Sequence, residues 1–150
     1  MAIHIQIQHA DFDLSAEYQR LRRENPQAGA VVTFTGLVRD FNAEGEVTGI
    51  VLEHYSGMTE KTLQRIADEA VARWGVAGLT IIHRVGALGG AEQIVLVGVA
   101  SRHRREGFAA AEFIMDFLKT EAPFWKRERN PEGEEWVDAK DSDQRARERW

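Results

Sequence analysis

The stretch Met115–Glu128 constrains the fold most, because it contains a proline directly after a helical pattern. Pro123 has no amide hydrogen to donate, so the pattern predicts that the helix ends before it and that the chain turns and returns as a strand. Lys119 and Lys126 lie on the two sides of this break. A turn of this kind can bring both ammonium groups to the edge of one pocket. The helical pattern comes from apolar side chains at Ile114, Met115, Phe117 and Leu118.

The composition is ordinary for a globular protein. Of the 150 residues, 43% are hydrophobic and 29% are charged, which suits one domain spanning residues 1–150. No apolar run approaches the ~20 residues that a membrane-spanning helix needs, and the N-terminal residues lack the pattern of a signal peptide. We therefore expect a cytoplasmic protein that does not associate with membranes.

The absence of cysteine restricts the chemistry of the chain. Without cysteine there is no disulfide, no thiolate nucleophile and no thiolate-bound metal. Any sulfur chemistry must therefore use sulfur that arrives from outside. The net charge of −5 argues against binding to nucleic acid.

Two local basic clusters stand out in this acidic chain. One is Arg102–Arg105, and the other contains Lys126, Arg127 and Arg129. Most such runs are solvated surfaces. Two of them in a net-acidic protein nevertheless favour a small anionic ligand over a polyanion.

Hydrophobic patterns predict an α+β fold with the order β-α-β-β-α-β-β-α-β-β, in which helices cover one face of a mostly antiparallel sheet. The third predicted strand is the plausible hairpin partner of the second, and Gly86–Gly90 is predicted to be a tight turn. The predicted helices are 13–24, 58–74 and 105–121, and the tail 141–150 is helical or loose. The predicted strands are 3–7, 29–39, 48–55, 79–85, 93–100, 125–129 and 135–138.

Several polar residues are candidates for function. His54 and His83 are isolated histidines within predicted strands, so we interpret them as structural and expect no metal site. His103 and Arg104 stand between a buried strand and a helix, a junction that often binds anions. Arg39 ends a long strand and is an ordinary surface arginine unless it joins the other cations.

The two lysines have both a structural and a functional interpretation. Lys119 in the last turn of a helix is favourable for the helix dipole alone, and Lys126 can be a solvated strand residue. If they approach each other among apolar side chains, desolvation and like charge lower the pKa of an ammonium group. Such a lysine acts as a nucleophile or as a general acid and base.

Taken together, these motifs resemble the MoaE family, the large catalytic subunits of molybdopterin synthase. The resemblance covers essentially the whole chain, and FIMDFLKTEAPFWKRE at Phe113–Glu128 is its most specific part. The other matching motifs are GAVVTFTGLVRD at Gly29–Asp40, LEHYSGMTEK at Leu52–Lys61, IIHRVG at Ile81–Gly86, SRHR at Ser101–Arg104 and PEGEEWVDAKDSD at Pro131–Asp143.

The resemblance implies an α/β hammerhead-type fold with a small additional β subdomain, and a sulfurtransferase of molybdenum cofactor biosynthesis. A homodimer of large subunits would bind a small ubiquitin-like subunit at each end, forming a heterotetramer. The C-terminal Gly-Gly thiocarboxylate of the small subunit would deliver sulfur to cyclic pyranopterin monophosphate (precursor Z), forming the dithiolene of molybdopterin. No cofactor is expected, since the partner supplies the sulfur.

The resemblance also implies roles for particular residues. Lys119, next to the C-terminus of the partner, and Lys126 would be catalytic. Arg39, His103 and Arg104 would hold the substrate phosphate, with the His-Arg pair contributed by the neighbouring protomer. The remaining residues that would line the substrate site are Leu37, Val38, Arg127 and Glu128.

Two other functions stay open at this point. A non-catalytic α+β adaptor or anion-binding domain could use the same basic pocket, and it would tolerate loss of Lys119 with reduced affinity only. An amine-nucleophile enzyme would form a Schiff base on Lys119, and borohydride would trap it.

Overall fold

The computed structural model describes residues 2–39, 49–130, 133–137 and 141–150, and between 125 and 143 it describes the backbone alone. The strands are β1 (Ala2–Gln8), β2 (Ala30–Leu37), β3 (Gly49–His54), β4 (Gly78–Arg84), β5 (Gly86–Gly89), β6 (Gln93–Ser101), β7 (Phe124–Asn130) and β8 (Gly133–Val137). The helices are α1 (Leu14–Glu24), α2 (Met58–Trp74), α3 (Arg104–Thr120) and α4 (Asp141–Glu148).

The described strands form two four-stranded sheets. The first sheet has the order β1-β4-β6-β2, with β1 and β4 parallel and the other pairs antiparallel. The second sheet has the order β5-β3-β7-β8 and is antiparallel throughout. The α+β class with mostly antiparallel sheets is therefore confirmed. The strand β6, which was predicted to be central from its apolar run, lies inside the first sheet.

One predicted pairing was wrong. β3 is not the hairpin partner of β2, since β2 pairs with β6 while β3 pairs with β5 and β7. Adjacency in the chain favours a hairpin, but it does not decide which partner buries more apolar surface. The inner residues of β3, Ile50 and Leu52, instead cover a small core of their own with Val38, Val85 and Leu88.

The predicted glycine-rich turn is also different in the structure. Gly86–Gly89 is the strand β5, which pairs with β3. Gly86 has a φ of +94°, a left-handed conformation that glycine adopts without strain. This corner lets the chain pass directly from β4 in the first sheet to β5 in the second, which period-2 sequence patterns do not reveal.

The helices lie on both faces of the first sheet. The helices α2 and α3 cover one face and form the main core, in which Leu63, Ile81, Val97 and Phe113 are fully buried. The helix α1 lies on the other face, where a side chain at Gly98 would collide with Leu21. The prediction of a single covered face was therefore wrong, because α1 is too short and polar for its sequence to reveal which face it covers.

The C-terminal segment forms α4 and packs on α3. The Trp150 ring makes edge contacts with Trp74 and Phe113, at centroid distances of 5.6 and 5.9 Å. Its indole N–H donates to Asp116, and its carbonyl oxygen accepts a hydrogen bond of 3.0 Å from Arg73. These contacts support the outer side of the helix whose last turn holds Lys119.

We predict that Trp150→Ala lowers the free energy of unfolding by about 2 kcal/mol, because half-buried aromatic contacts and a hydrogen bond are lost together. Urea denaturation would measure the change. Glu148→Ala, at the exposed last residue of α4, is the control and should change the value by less than about 0.5 kcal/mol. Equal effects of the two substitutions would show that α4 does not support the fold through Trp150.

Candidate active site at one end of the first sheet

The helix α3 runs the length of the first sheet and carries Lys119 to one end of it. It begins directly after β6 and crosses β2, since a side chain at Gly107 would touch Val32 and Ser101. It ends at Thr120, before Pro123, as predicted. Lys119 lies exposed in its last turn, close enough to His83 at the end of β4 for the two to interact electrostatically.

The turn at Pro123 brings the start of β7 to the same end of the sheet. The ring of Phe124 stacks on His83 with a centroid distance of 3.9 Å and an interplanar angle of 18°. Two residues later, Lys126 pairs with Leu52 of β3. The Lys126 side chain lies outside the described residues, so the approach of the two ammonium groups stays a prediction.

The segment after β2 lies at this end as well. In the pairing of β2 with β6, Leu37 is opposite Gln93, two residues from the partner of His83. Leu37 is 54% exposed and Arg39 is exposed, so both side chains are accessible to a ligand. The exposed end of the first sheet therefore contains Leu37, Arg39 and Lys119 together.

Val38 differs from its two neighbours. Its side chain is 4% exposed and packs in the core of the second sheet, and its N–H donates to the carbonyl oxygen of Glu92 at 2.9 Å. Such a residue positions the chain beside a ligand rather than contacting the ligand through its side chain.

Two further predicted site residues lie on β7. Arg127 and Glu128 pair with Val51 and Ile50 of β3. Their backbone therefore lies in the middle of β7, next to β3, whereas their side chains lie outside the described residues.

His103 and Arg104 lie at the opposite end of α3. His103 is the residue that precedes the helix, Arg104 is its first residue, and both are exposed. At ~1.5 Å per residue, the 17-residue helix separates this pair from Lys119 by roughly 22 Å. One chain thus does not bring the predicted cations together, and instead presents them as two groups at the two ends of one helix.

His54 and His83 come from different strands, but the structure brings them to the same aromatic ring. Both rings contact Phe124, with His54 at a centroid distance of 6.2 Å. The sequence signal that could have revealed this is the alternation Leu79, Ile81, His83, which places the histidine on the helix-facing side of β4.

His83 is held in a neutral form. Its Nδ1 lies 2.8 Å from the carbonyl oxygen of Arg84, so the ring donates from this nitrogen. Burial lowers the pKa of His83 to about 4, and the nearby Lys119 and His54 act in the same direction, while the hydrogen bond to Arg84 opposes the change. Within the described parts of the chain, no group of three or more histidine or acidic side chains is arranged to hold a metal ion.

The fold and this arrangement define an α+β protein that exposes lysine and arginine side chains at one end of its first sheet. A sequence profile of the MoaE protein family matches residues 7–121. The chain belongs to the MoaE family.

Individual relatives agree with this assignment over most of the chain. The molybdopterin synthase catalytic subunit of Ralstonia nicotianae is 56% identical, with 97% of this chain and 83% of that protein covered. The protein of the same name from Escherichia coli is 54% identical, with 93% and 92% covered. Among solved structures, the molybdopterin biosynthesis MoaE protein from Burkholderia ambifaria is 52% identical with a TM-score of 0.86, covering 100% of this chain and 98% of that one.

A more distant structure shares the fold. It is described as a protein–protein complex of subunits 1 and 2 of molybdopterin-converting factor from Helicobacter pylori, and its matching chain is 21% identical with a TM-score of 0.72. The alignment covers 93% of this chain and 90% of that one.

We predict that His83 makes the fold sensitive to acid. The unfolded chain takes up a proton on His83 near pH 6.5 and the folded chain does so only near pH 4, so lowering the pH between these values favours unfolding. From pH 7 to pH 5 this histidine should remove about 2 kcal/mol of stability. Urea denaturation at both pH values should show that loss in the wild type and not in His83→Gln. The same loss in both proteins would contradict the assignment.

Proposed function

We propose that this chain transfers sulfur from the C-terminal thiocarboxylate of a small ubiquitin-like subunit to cyclic pyranopterin monophosphate (precursor Z), with Lys119 and Lys126 as the catalytic residues. By its family the chain is the catalytic subunit of a molybdopterin synthase, a sulfur-transferring enzyme of molybdenum cofactor biosynthesis. The observation that supports the residue assignment is that Lys119 is exposed in the last turn of α3, at the end of the first sheet where β2 also ends before Arg39 and where the chain turns at Pro123.

The chemistry of a thiocarboxylate suits an amine at this position. The ammonium of Lys119 can stabilise the negative charge of the thiocarboxylate. Its neutral amine can attack the carbonyl carbon, which forms an amide, breaks the C–S bond and releases the sulfur as hydrosulfide for the pterin, or it can accept a proton as sulfur enters the pterin side chain. Lys126 would hold substrate charge and lower the pKa of the Lys119 ammonium through like charge.

The proposed reaction needs sulfur from outside the chain, because the chain contains no cysteine. A small subunit that ends in a Gly-Gly thiocarboxylate would supply it, so no further cofactor or metal is required by the proposal.

We assign the substrate phosphate to cations from two copies of this chain. Arg39 lies at the Lys119 end of α3, and His103 and Arg104 lie roughly 22 Å away at the other end. A second copy in a two-fold dimer can place its own His-Arg pair at the lysine end of the first, and the symmetry makes two such composite sites. The dimer with a small subunit at each end would be the heterotetramer.

We place the reaction in the cytoplasm, where other steps on a soluble pterin substrate would occur. None of the helices in the described parts of the chain combines the length and the apolar character that crossing a membrane requires.

We expect Lys119→Ala to fold, to bind the small subunit and to lose about 100-fold or more in product formation from precursor Z and thiocarboxylated partner. Lys61→Ala, which removes an exposed lysine from α2, is the control and should stay within about threefold of the wild type. Binding of the partner is measured in parallel by calorimetry. Unchanged turnover in Lys119→Ala would exclude the proposed catalytic role, and an inactive wild type with its cognate partner would favour an adaptor.

A mixing experiment tests the composite site. Lys119→Ala and Arg104→Ala should each be nearly inactive alone. In a mixed dimer, one site combines the intact Lys119 of one copy with the intact Arg104 of the other, so random exchange of subunits should restore about a quarter of the wild-type activity. No recovery in a sample whose subunit exchange is verified by native mass spectrometry would place both residues in one chain's site.

A further inference from the structure

His83 is a polar residue at the same end of the first sheet as Lys119, and the proposed reaction does not use it. Along β4, the side chains of Leu79, Ile81 and His83 point to the same face because side chains alternate along a strand. Leu79 and Ile81 are fully buried in the core beneath α2 and α3. His83 therefore occupies the last position of this row, where the core ends and the last turn of α3 presents Lys119.

The imidazole of His83 is held in one orientation. Phe124 stacks on its ring at 3.9 Å, and the carbonyl oxygen of Arg84 accepts from Nδ1 at 2.8 Å. With the proton on Nδ1, the other ring nitrogen, Nε2, carries a lone pair and is a hydrogen-bond acceptor. The structure thus provides an oriented acceptor at the end of β4, where the turn at Pro123 connects Phe124, which stacks on His83, to the last turn of α3.

We propose that His83 is a positioning residue for Lys119, and that its neutral imidazole directs the lysine amine toward the reacting sulfur by accepting a hydrogen bond from it. This inference rests on the catalytic role proposed for Lys119. It deepens that role, because a long lysine side chain has many rotamers and an oriented partner selects one of them.

The charged groups on the neighbouring elements are consistent with this role. Lys119 approaches from α3 and His54 from β3, where its Nδ1 lies 3.9 Å from Glu60 of α2. The carboxylate of Glu121, just after α3, contacts Arg65 and Arg147 instead. A protonated imidazole would repel the lysine at this position, and burial keeps His83 neutral at neutral pH.

Two substitutions of His83 distinguish the effect of its hydrogen-bond acceptor from the effect of its aromatic ring. His83→Phe keeps an aromatic ring to stack on Phe124 and removes the acceptor, whereas His83→Gln keeps an acceptor and removes the ring. His54→Phe is the matched control, because it makes the same change on the other ring that contacts Phe124.

In the assembled enzyme with thiocarboxylated partner and precursor Z, we expect His83→Phe to lose about 10-fold or more in kcat with little change in KM, since positioning acts on the chemical step. His83→Gln and His54→Phe should stay within about threefold of the wild type. Should His83→Phe fail to fold, His83→Met provides the same loss of the acceptor. Full kcat in a folded variant without the acceptor, or equal losses in His83→Phe and His83→Gln, would overturn the proposal.

A second measurement does not depend on activity. NMR of the protein with 15N-labelled histidine reports the tautomer and the pKa of His83, and we expect a proton on Nδ1 and an upward change of the pKa when Lys119→Met removes the neighbouring cation. An unchanged pKa would show that the two side chains do not interact and would overturn the proposal.

The kinetic and NMR measurements together show whether the catalytic role of Lys119 or the positioning role of His83 fails. An active Lys119→Ala would refute the catalytic role of the lysine and the positioning role that rests on it, while an intact pKa response of His83 would still show that the two side chains interact. An inactive Lys119→Ala together with a fully active His83→Phe would refute the positioning role alone.

Discussion

One face of α3 is buried against the first sheet, and the positions of the functional residues follow from that contact. Phe113 and Ile114 have no exposed surface, and the small residues Gly107 and Ala110 let the start of the helix approach β2 and β6 closely. The helix is therefore fixed along its whole length. Its two ends hold Arg104 and Lys119 at opposite ends of the sheet. A single chain therefore does not bring these two basic residues together.

The second sheet completes the lysine end of the molecule. It joins the first sheet through the corner at Gly86 and through β7, whose first residue, Phe124, stacks on His83. The interaction between Phe124 and His83 connects the return segment after Pro123 to the end of β4. A site built at this junction uses residues from both sheets and from the last turn of α3, so a change in any of the three elements would move the lysine relative to its surroundings.

Much of this arrangement follows from local sequence patterns. Pro123 ends a helix for a covalent reason, and the apolar run of β6 requires burial on both faces, so the end of α3 and the central strand were predictable. The partner of β3 and the strand at Gly86–Gly89 were not, because each depends on which distant strand offers a matching apolar surface. The proposed role of His83 was missed for a related reason. A single histidine in a strand does not indicate that Phe124 and Lys119, which are distant in the chain, will lie near it.

The sequence by itself determined the family, the α+β class, the break at Pro123 and the identity of the residues able to do chemistry, including the absence of a sulfur donor among them. These features depend on residue type and short-range spacing, both of which are known from the sequence without the fold. Only the tertiary structure decided that Lys119, Arg39 and His83 share one end of the first sheet while His103 and Arg104 lie at the other. That outcome depends on how α3 packs across strands distant in sequence, and packing of this kind is a property of the whole core.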